Sequence, residues 1–203
     1  MRDLPALDHF AGTRLPRDAY RREFRERQWR IPGQESWKLE RRQHFKEPGF
    51  ASWEAFSRGA WREALRLIEE ERDYLREFSA EAARLGIDLY RVRVVEFPID
   101  PYLQWELHLL RLRAECGELI RVIGPEVIKQ YESTHPLPEL VTLGETTLYQ
   151  VLYDDNGVSD GAVRYSDPTT VRHWTSFIRD LFSKGEDLRP FFDREIAPMP
   201  PPA

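Results

Sequence analysis

Arg91, Arg93, Glu96, Tyr102, Glu106 and Arg121 all fall within residues 88–123. Guanidinium groups grip carboxylates and phosphates through paired N–H donors, and a Glu beside a Tyr can move protons. The set could therefore hold an anion or serve acid–base chemistry. Its setting, DLYRVRVVEFPIDPYLQWELHLLRLRAECGELIRVI, predicts a strand, a helix and a second strand, one βαβ unit. Strands of a parallel sheet are covered on both faces and usually read as unbroken Val, Ile and Leu. Charges inside such strands must pair with one another or line a site.

Period-two alternation puts Arg91, Arg93, Val95 and Phe97 on one face of the first strand and Val92, Val94 and Glu96 on the other. On a helical wheel Leu103, Leu107, Leu110 and Ala114 form one stripe, and Trp105, Leu109, Leu112 and Cys116 a nearly opposite one. The helix is thus expected to be buried on two sides. Gln104, His108, Arg111 and Glu115 are its expected solvent face, which makes His108 a surface histidine. Glu106 borders Leu103 and Leu110, so its carboxylate should meet the sheet and needs a basic partner, Arg93 or Arg121. Two readings stand side by side. One is an internal Arg/Glu network, and the other is a ligand site at the strand end built from Arg93, Glu96, Tyr102, Glu106 and Arg121.

Other chemistry is sparse. The chain carries no Walker loop, GxGxxG, GxSxG or HExxH, and its five histidines are scattered. No cofactor or metal is expected. Cys116, the single cysteine, cannot close an internal disulfide and sits on an apolar stripe, which suits a buried thiol. The Asp154-Asp155-Asn156-Gly157 stretch lacks the closing Glu of a calcium loop and reads as a hairpin turn.

The elements around this unit predict a mixed α/β fold. Residues 1–35 mix Pro, Gly and Arg and read as a basic arm with one helix from Arg17 to Trp29. Ser36 to Phe45 alternates as an exposed strand, Ser52 suits a helix cap, and residues 60–85 predict one long helix stopped by Gly86. Residues 125–131 suit a short helix, 140–143 and 147–165 strands and a hairpin, and Asp167-Pro168 opens a helix over 168–184. Residues 36–195 are thus expected as one α/β domain, a mixed sheet flanked by helices, and 196–203 as an extended, mobile proline-rich tail.

With 203 residues, 41% hydrophobic and 12% aromatic, the chain can bury a sizeable core. No apolar run approaches the ~20 residues of a membrane helix, and MRDLPALDHF lacks a signal pattern, so a soluble, cytoplasmic protein is expected. Net charge is −5, yet residues 1–46 hold 12 Lys/Arg against 7 Asp/Glu. Glu23 and Glu26 interleave with the arginines, which makes nucleic-acid binding through this segment the weaker reading.

WKLERRQHFKEPG, SWEAFSRGAWREALRLIEEER, the βαβ segment and FFDREIAP resemble an uncharacterised actinobacterial family, a domain of unknown function often encoded beside helix-turn-helix regulators. That resemblance implies a regulatory neighbourhood and a helix-turn-helix partner, and it supplies no activity. The order of elements over residues 89–184 also resembles half of a phospholipase-D-type fold. The catalytic signature there is HxK followed by Asp; here the only HxK is His44-Phe45-Lys46, and Ala51 stands where the Asp belongs. The expectation is a non-catalytic regulatory protein that binds a small anionic ligand or a partner. A phosphodiesterase- or transferase-type enzyme using Glu96, Glu106, His108 and Tyr102 is the alternative, and a homo-oligomer is compatible with either.

Overall fold

The computed structural model describes residues 7–132 and 135–202. The start of the arm, residues 1–6, lies outside them. Eight strands form one mixed sheet: β1 (Thr13–Leu15), β2 (Glu35–Glu40), β3 (Asp88–Val94), β4 (Leu119–Ile123), β5 (Glu139–Leu143), β6 (Thr147–Tyr153), β7 (Ser159–Tyr165) and β8 (Glu186–Asp187). Their order is β1-β7-β6-β5-β2-β3-β4-β8. Among the described residues only β2, β3 and β4 run parallel to one another, and the remaining strand pairings are antiparallel.

The βαβ unit forms as the sequence predicts: β3, helix α5 (Pro101–Glu115) and β4, in register Val92↔Arg121 and Arg93↔Val122. Asp100 caps the helix, its Oδ1 accepting from Leu103 N at 2.7 Å, and Pro101 follows at the first turn. The hairpin β6–β7 turns through Asp154, whose Oδ1 accepts from Asn156 N and Val158 N, and Gly157 takes the positive φ of 81° that the turn demands. Helix α7 (Pro168–Lys184), capped by Asp167, lies on one sheet face. There Val171, Trp174, Ile178 and Leu181 bury against Trp37, Leu39, Val92, Val94, Leu140, Leu148 and Val163.

Four elements depart from the sequence expectation. β2 is a central strand, hydrogen-bonded to both β3 and β5, rather than an exposed one. Its alternation is real, but the polar side, Lys38 and Glu40, faces an internal cleft instead of solvent. The expected long helix is two, α3 (Trp61–Glu70) and α4 (Arg72–Arg84), after α2 (Ala51–Ser57). Ile68 of α3 packs in the cluster around Trp105 of α5, whereas Ala82 of α4 packs with Ile87 and Val141 at the sheet. The break falls at Glu71, and Leu75 of α4 still joins the Trp105 cluster. Ser52 is no cap: it is buried in α2, its Oγ donating to Ala64 O and accepting from Trp105 Nε1 at 2.8 Å.

The fourth departure concerns the chain ends. In the arm, β1 pairs with β7, and α1 (Arg17–Arg27) lies over the sheet, held by Glu23 between Tyr149 Oη and Arg164 Nη1, both at 2.8 Å. At the other end, α8 (Leu188–Glu195) covers α5 with Phe191 and Phe192, and Gln104 Nε2 donates to Pro200 O of the tail. Gln104 is therefore buried, and His108 is half-buried edge-on to Trp61 and Phe192, not a surface histidine.

Candidate functional site: a charged, aromatic-walled cleft

On the sheet face opposite α7, apolar clusters occupy the two flanks and the middle is polar. Register alone puts it there. Lys38 pairs with Arg91 and Glu40 with Arg93 across the parallel β2–β3 ladder, so all four side chains share this face. Arg91, only 7% exposed, donates from Nη1 to both Glu40 oxygens at 2.8 Å and from Nε to Glu118 Oε1 at 2.6 Å. Lys38 Nζ meets Glu40 Oε1 at 2.5 Å, and Arg113 of α5 meets Glu118 Oε2 at 3.2 Å. The result is a chain of alternating charge, Lys38–Glu40–Arg91–Glu118–Arg113. Burial works against ionisation of Glu40 and Glu118, but Arg91, helped by Lys38 at the first and Arg113 at the second, outweighs it and holds both carboxyls below the usual range.

Around this chain lies a cleft with two ends that share Lys38, Arg91, Arg113, Tyr153 and Ser159 in their lining. One end, about 420 Å³, is walled by Tyr20, Phe24 and Trp29 from α1 and its exit, and by Tyr74 and Phe78 from α4. Trp29 and Phe78 close it at a centroid distance of 4.8 Å. The other end, about 510 Å³, runs between Arg17 and Arg21 of α1 and the loop from β2 to α2, which contributes Phe45, Lys46, Glu47 and Phe50. That loop is tied to the β6–β7 turn by Lys46 N donating to Gly157 O at 2.8 Å. Both ends fall in the size range of small-molecule pockets.

Charge in the cleft is uneven. At the wider end Arg17, Arg21, Lys38, Lys46, Arg91 and Arg113 face Glu40, Glu47 and Glu106. Burial raises the pKa of Glu47, whose Oε1 accepts from Tyr102 Oη at 2.7 Å, and raises that of Glu106 as well. Glu139, at the aromatic end, is pushed up to about 7 by burial, although its Oε1 accepts from Arg41 N and Arg42 N. Its Oε2 is buried without a hydrogen-bond partner among the described residues. Six cations against three carboxyls leave positive charge in excess, so the cleft can hold an anion beside an aromatic surface.

The residues expected from sequence separate into three groups. Arg93 and Glu106 do pair, Nε to Oε2 at 2.9 Å, and Arg93 is fully buried with its Nη1 also donating to Arg42 O at 2.6 Å. Tyr102 and Glu106 line the wider end of the cleft, with Tyr102 Oη 3.5 Å from Glu106 Oε1. Glu96 and Arg121 lie elsewhere. Glu96 pairs with Arg41 at 2.7 Å, and Arg121 sits on the α7 face, where its Nη1 donates to Phe182 O and its guanidinium covers the Phe182 ring. His108 is likewise remote from Tyr102, against Phe192, and burial lowers its pKa to about 4. The residues missed are Lys38, Glu40, Arg113, Glu118 and the α1 side chains. The alternation of Lys38 and Glu40 was a visible signal, but nothing local said that β2 neighbours β3.

A family model described as a domain of unknown function, DUF6879, matches residues 22–193. The chain belongs to that family. Its matched span holds the whole floor of the cleft and both walls of the aromatic end apart from Tyr20, whereas Arg17 and Arg21 precede it. No curated protein matches this DUF6879 member. No helix among its described residues is long and apolar enough to cross a membrane, and no three His, Cys, Asp or Glu residues among them gather into a metal site.

Proposed function

We propose that this DUF6879 protein is a non-catalytic binding protein whose cleft takes a small anion bearing an aromatic or apolar ring. One observation carries the reading: an aromatic-walled end and a cation-rich end share a single floor, Lys38, Arg91 and Arg113. Aromatic walls favour a ring through burial and stacking, and guanidinium groups favour a carboxylate or phosphate through charge-assisted hydrogen bonds. Most floor groups already hold partners, which suits recognition better than turnover. The phospholipase-D-type likeness without its Asp, Ala51 standing there, supports the same side. A helix-turn-helix regulator is the partner the family resemblance suggests for reading out the bound state.

Thermal shift with indole-3-acetate, salicylate and phenyl phosphate tests the reading. At least one should raise Tm in the wild type and lose that effect in Arg113→Gln and Tyr74→Ser. Tyr74 is 60% exposed, so its variant should stay within about 0.5 kcal/mol of wild-type stability. Equal responses in wild type and both variants, or none from any compound, would sink the idea.

A further inference from the structure

We infer that the anion is a phosphate carried on a nucleoside, so that the cleft is a mononucleotide site. The inference rests on the reading of the cleft as a site for a ring-bearing anion and specifies its chemistry.

Within the floor, Lys38, Arg91 and Arg113 share two carboxylates, Glu40 and Glu118, which leaves one positive charge in excess. Further attraction comes from Arg17, Arg21 and Lys46, which enter no ion pair among the described residues. Arg17 Nε is, moreover, buried without a hydrogen-bond partner among them. Arg17 and Arg21 stand four residues apart on α1, hence side by side on one helix face, and Lys46 comes from the opposite wall of the same cleft end. A monocarboxylate is satisfied by one such fork. A phosphate, with three acceptor oxygens and a charge of about −1.5 to −2, can use all three cations.

Between this phosphate end and the aromatic end the shared floor is polar, Lys38, Arg91, Arg113, Tyr153 and Ser159. Beside it, in the aromatic end, Glu139 is buried with Oε2 lacking a partner among the described residues. A hydroxyl-bearing shared floor and an unpartnered carboxyl oxygen beside the ring locus match the hydroxyls of a ribose, which a simple aryl phosphate lacks. Tyr74 and Phe78 then face the base.

Calorimetric titration of the full chain with AMP, GMP, CMP and UMP, beside adenosine, inorganic phosphate and indole-3-acetate, tests this. At least one mononucleotide should bind about tenfold or more tighter than its nucleoside and than phosphate, the worth of one charge-assisted contact. Arg21→Gln, an exposed position, should bring nucleotide affinity down about tenfold towards that of the nucleoside and leave nucleoside affinity and Tm unchanged. Tyr74→Ser should weaken nucleotide and nucleoside alike. If indole-3-acetate binds in an Arg113-dependent way while no nucleotide binds, the phosphate assignment falls and the broader reading stands. If nothing binds, both fall. Nucleotide binding indifferent to Arg21→Gln overturns the inference by putting the phosphate elsewhere.

Discussion

Arg93 sits at 0% exposure under the cleft floor, and its partner Glu106 is 5% exposed. Removing one member leaves the other buried without its partner, so Arg93→Met should cost about 3–5 kcal/mol in denaturant unfolding. The double variant Arg93→Met/Glu106→Leu replaces both charges by apolar groups and should recover most of that loss. A double variant as unstable as the single one would show that the carbonyl contacts of Arg93, not the ion pair, dominate. Glu139 carries a different signature. Its carboxyl titrates at about 7 in the fold against 4.5 in the unfolded chain, so the folded state binds the extra proton between these values. The resulting stability is fully present below pH 4.5 and is lost as pH rises through 7. Glu139→Gln should flatten that fall, by up to about 3 kcal/mol between the two limits, when stability is followed from pH 5 to 8. Identical slopes in wild type and variant would place the Glu139 titration in the ordinary carboxylate range.

Helix α5 is the element on which the fold turns, because it is packed on nearly every side. Leu103, Leu107 and Leu110 meet the sheet, Trp105 and Leu112 meet α2 and α3, and Gln104 meets the tail. Its two apolar stripes were legible in the sequence as period 3.6 on both sides. Burial of the Gln104 stripe was not, since α8 and the tail that cover it lie some ninety residues away in the chain. Truncation after Ala197 removes Pro200, the acceptor for Gln104 Nε2, and takes Met199 off the cluster around Val95. Losing that bond and the burial of Met199 together costs about 1–3 kcal/mol. Loss of that order in thermal or denaturant unfolding is expected, and an unchanged midpoint would mean that the tail contributes nothing to the domain.

The whole molecule depends on its N-terminal segment more than its Pro, Gly and Arg content suggests. β1 covers the edge of β7, and α1 supplies one wall of the cleft along with Glu23, which holds Tyr149 and Arg164. Deletion of residues 1–28 should expose the β7 edge, an invitation to strand pairing between copies, and remove the Arg17/Arg21 rim. The expected outcome is concentration-dependent self-association by light scattering together with loss of the ligand response. A monomeric deletion variant that still responds would assign the site to the rest of the cleft.

The sequence by itself determined the local elements: the strand–helix–strand unit, the Asp154–Gly157 turn, the Asp167 cap, and the pairing need of Glu106. Each rests on periodicity, capping or burial cost that neighbours within one or two turns impose. Only the tertiary structure decided where the charged residues meet. Lys38 and Glu40 lie some fifty residues before Arg91 and Arg93, and they share a face with them only because β2 runs parallel to β3 in that register. Arg121 and Arg93 read alike in sequence, yet the same pairing aligns Arg121 with Val92 and so turns it to the α7 side. Strand order and register are set by long-range packing of whole faces, so a cleft built across β2, β3, α1, α4 and α5 has no signature in any single segment.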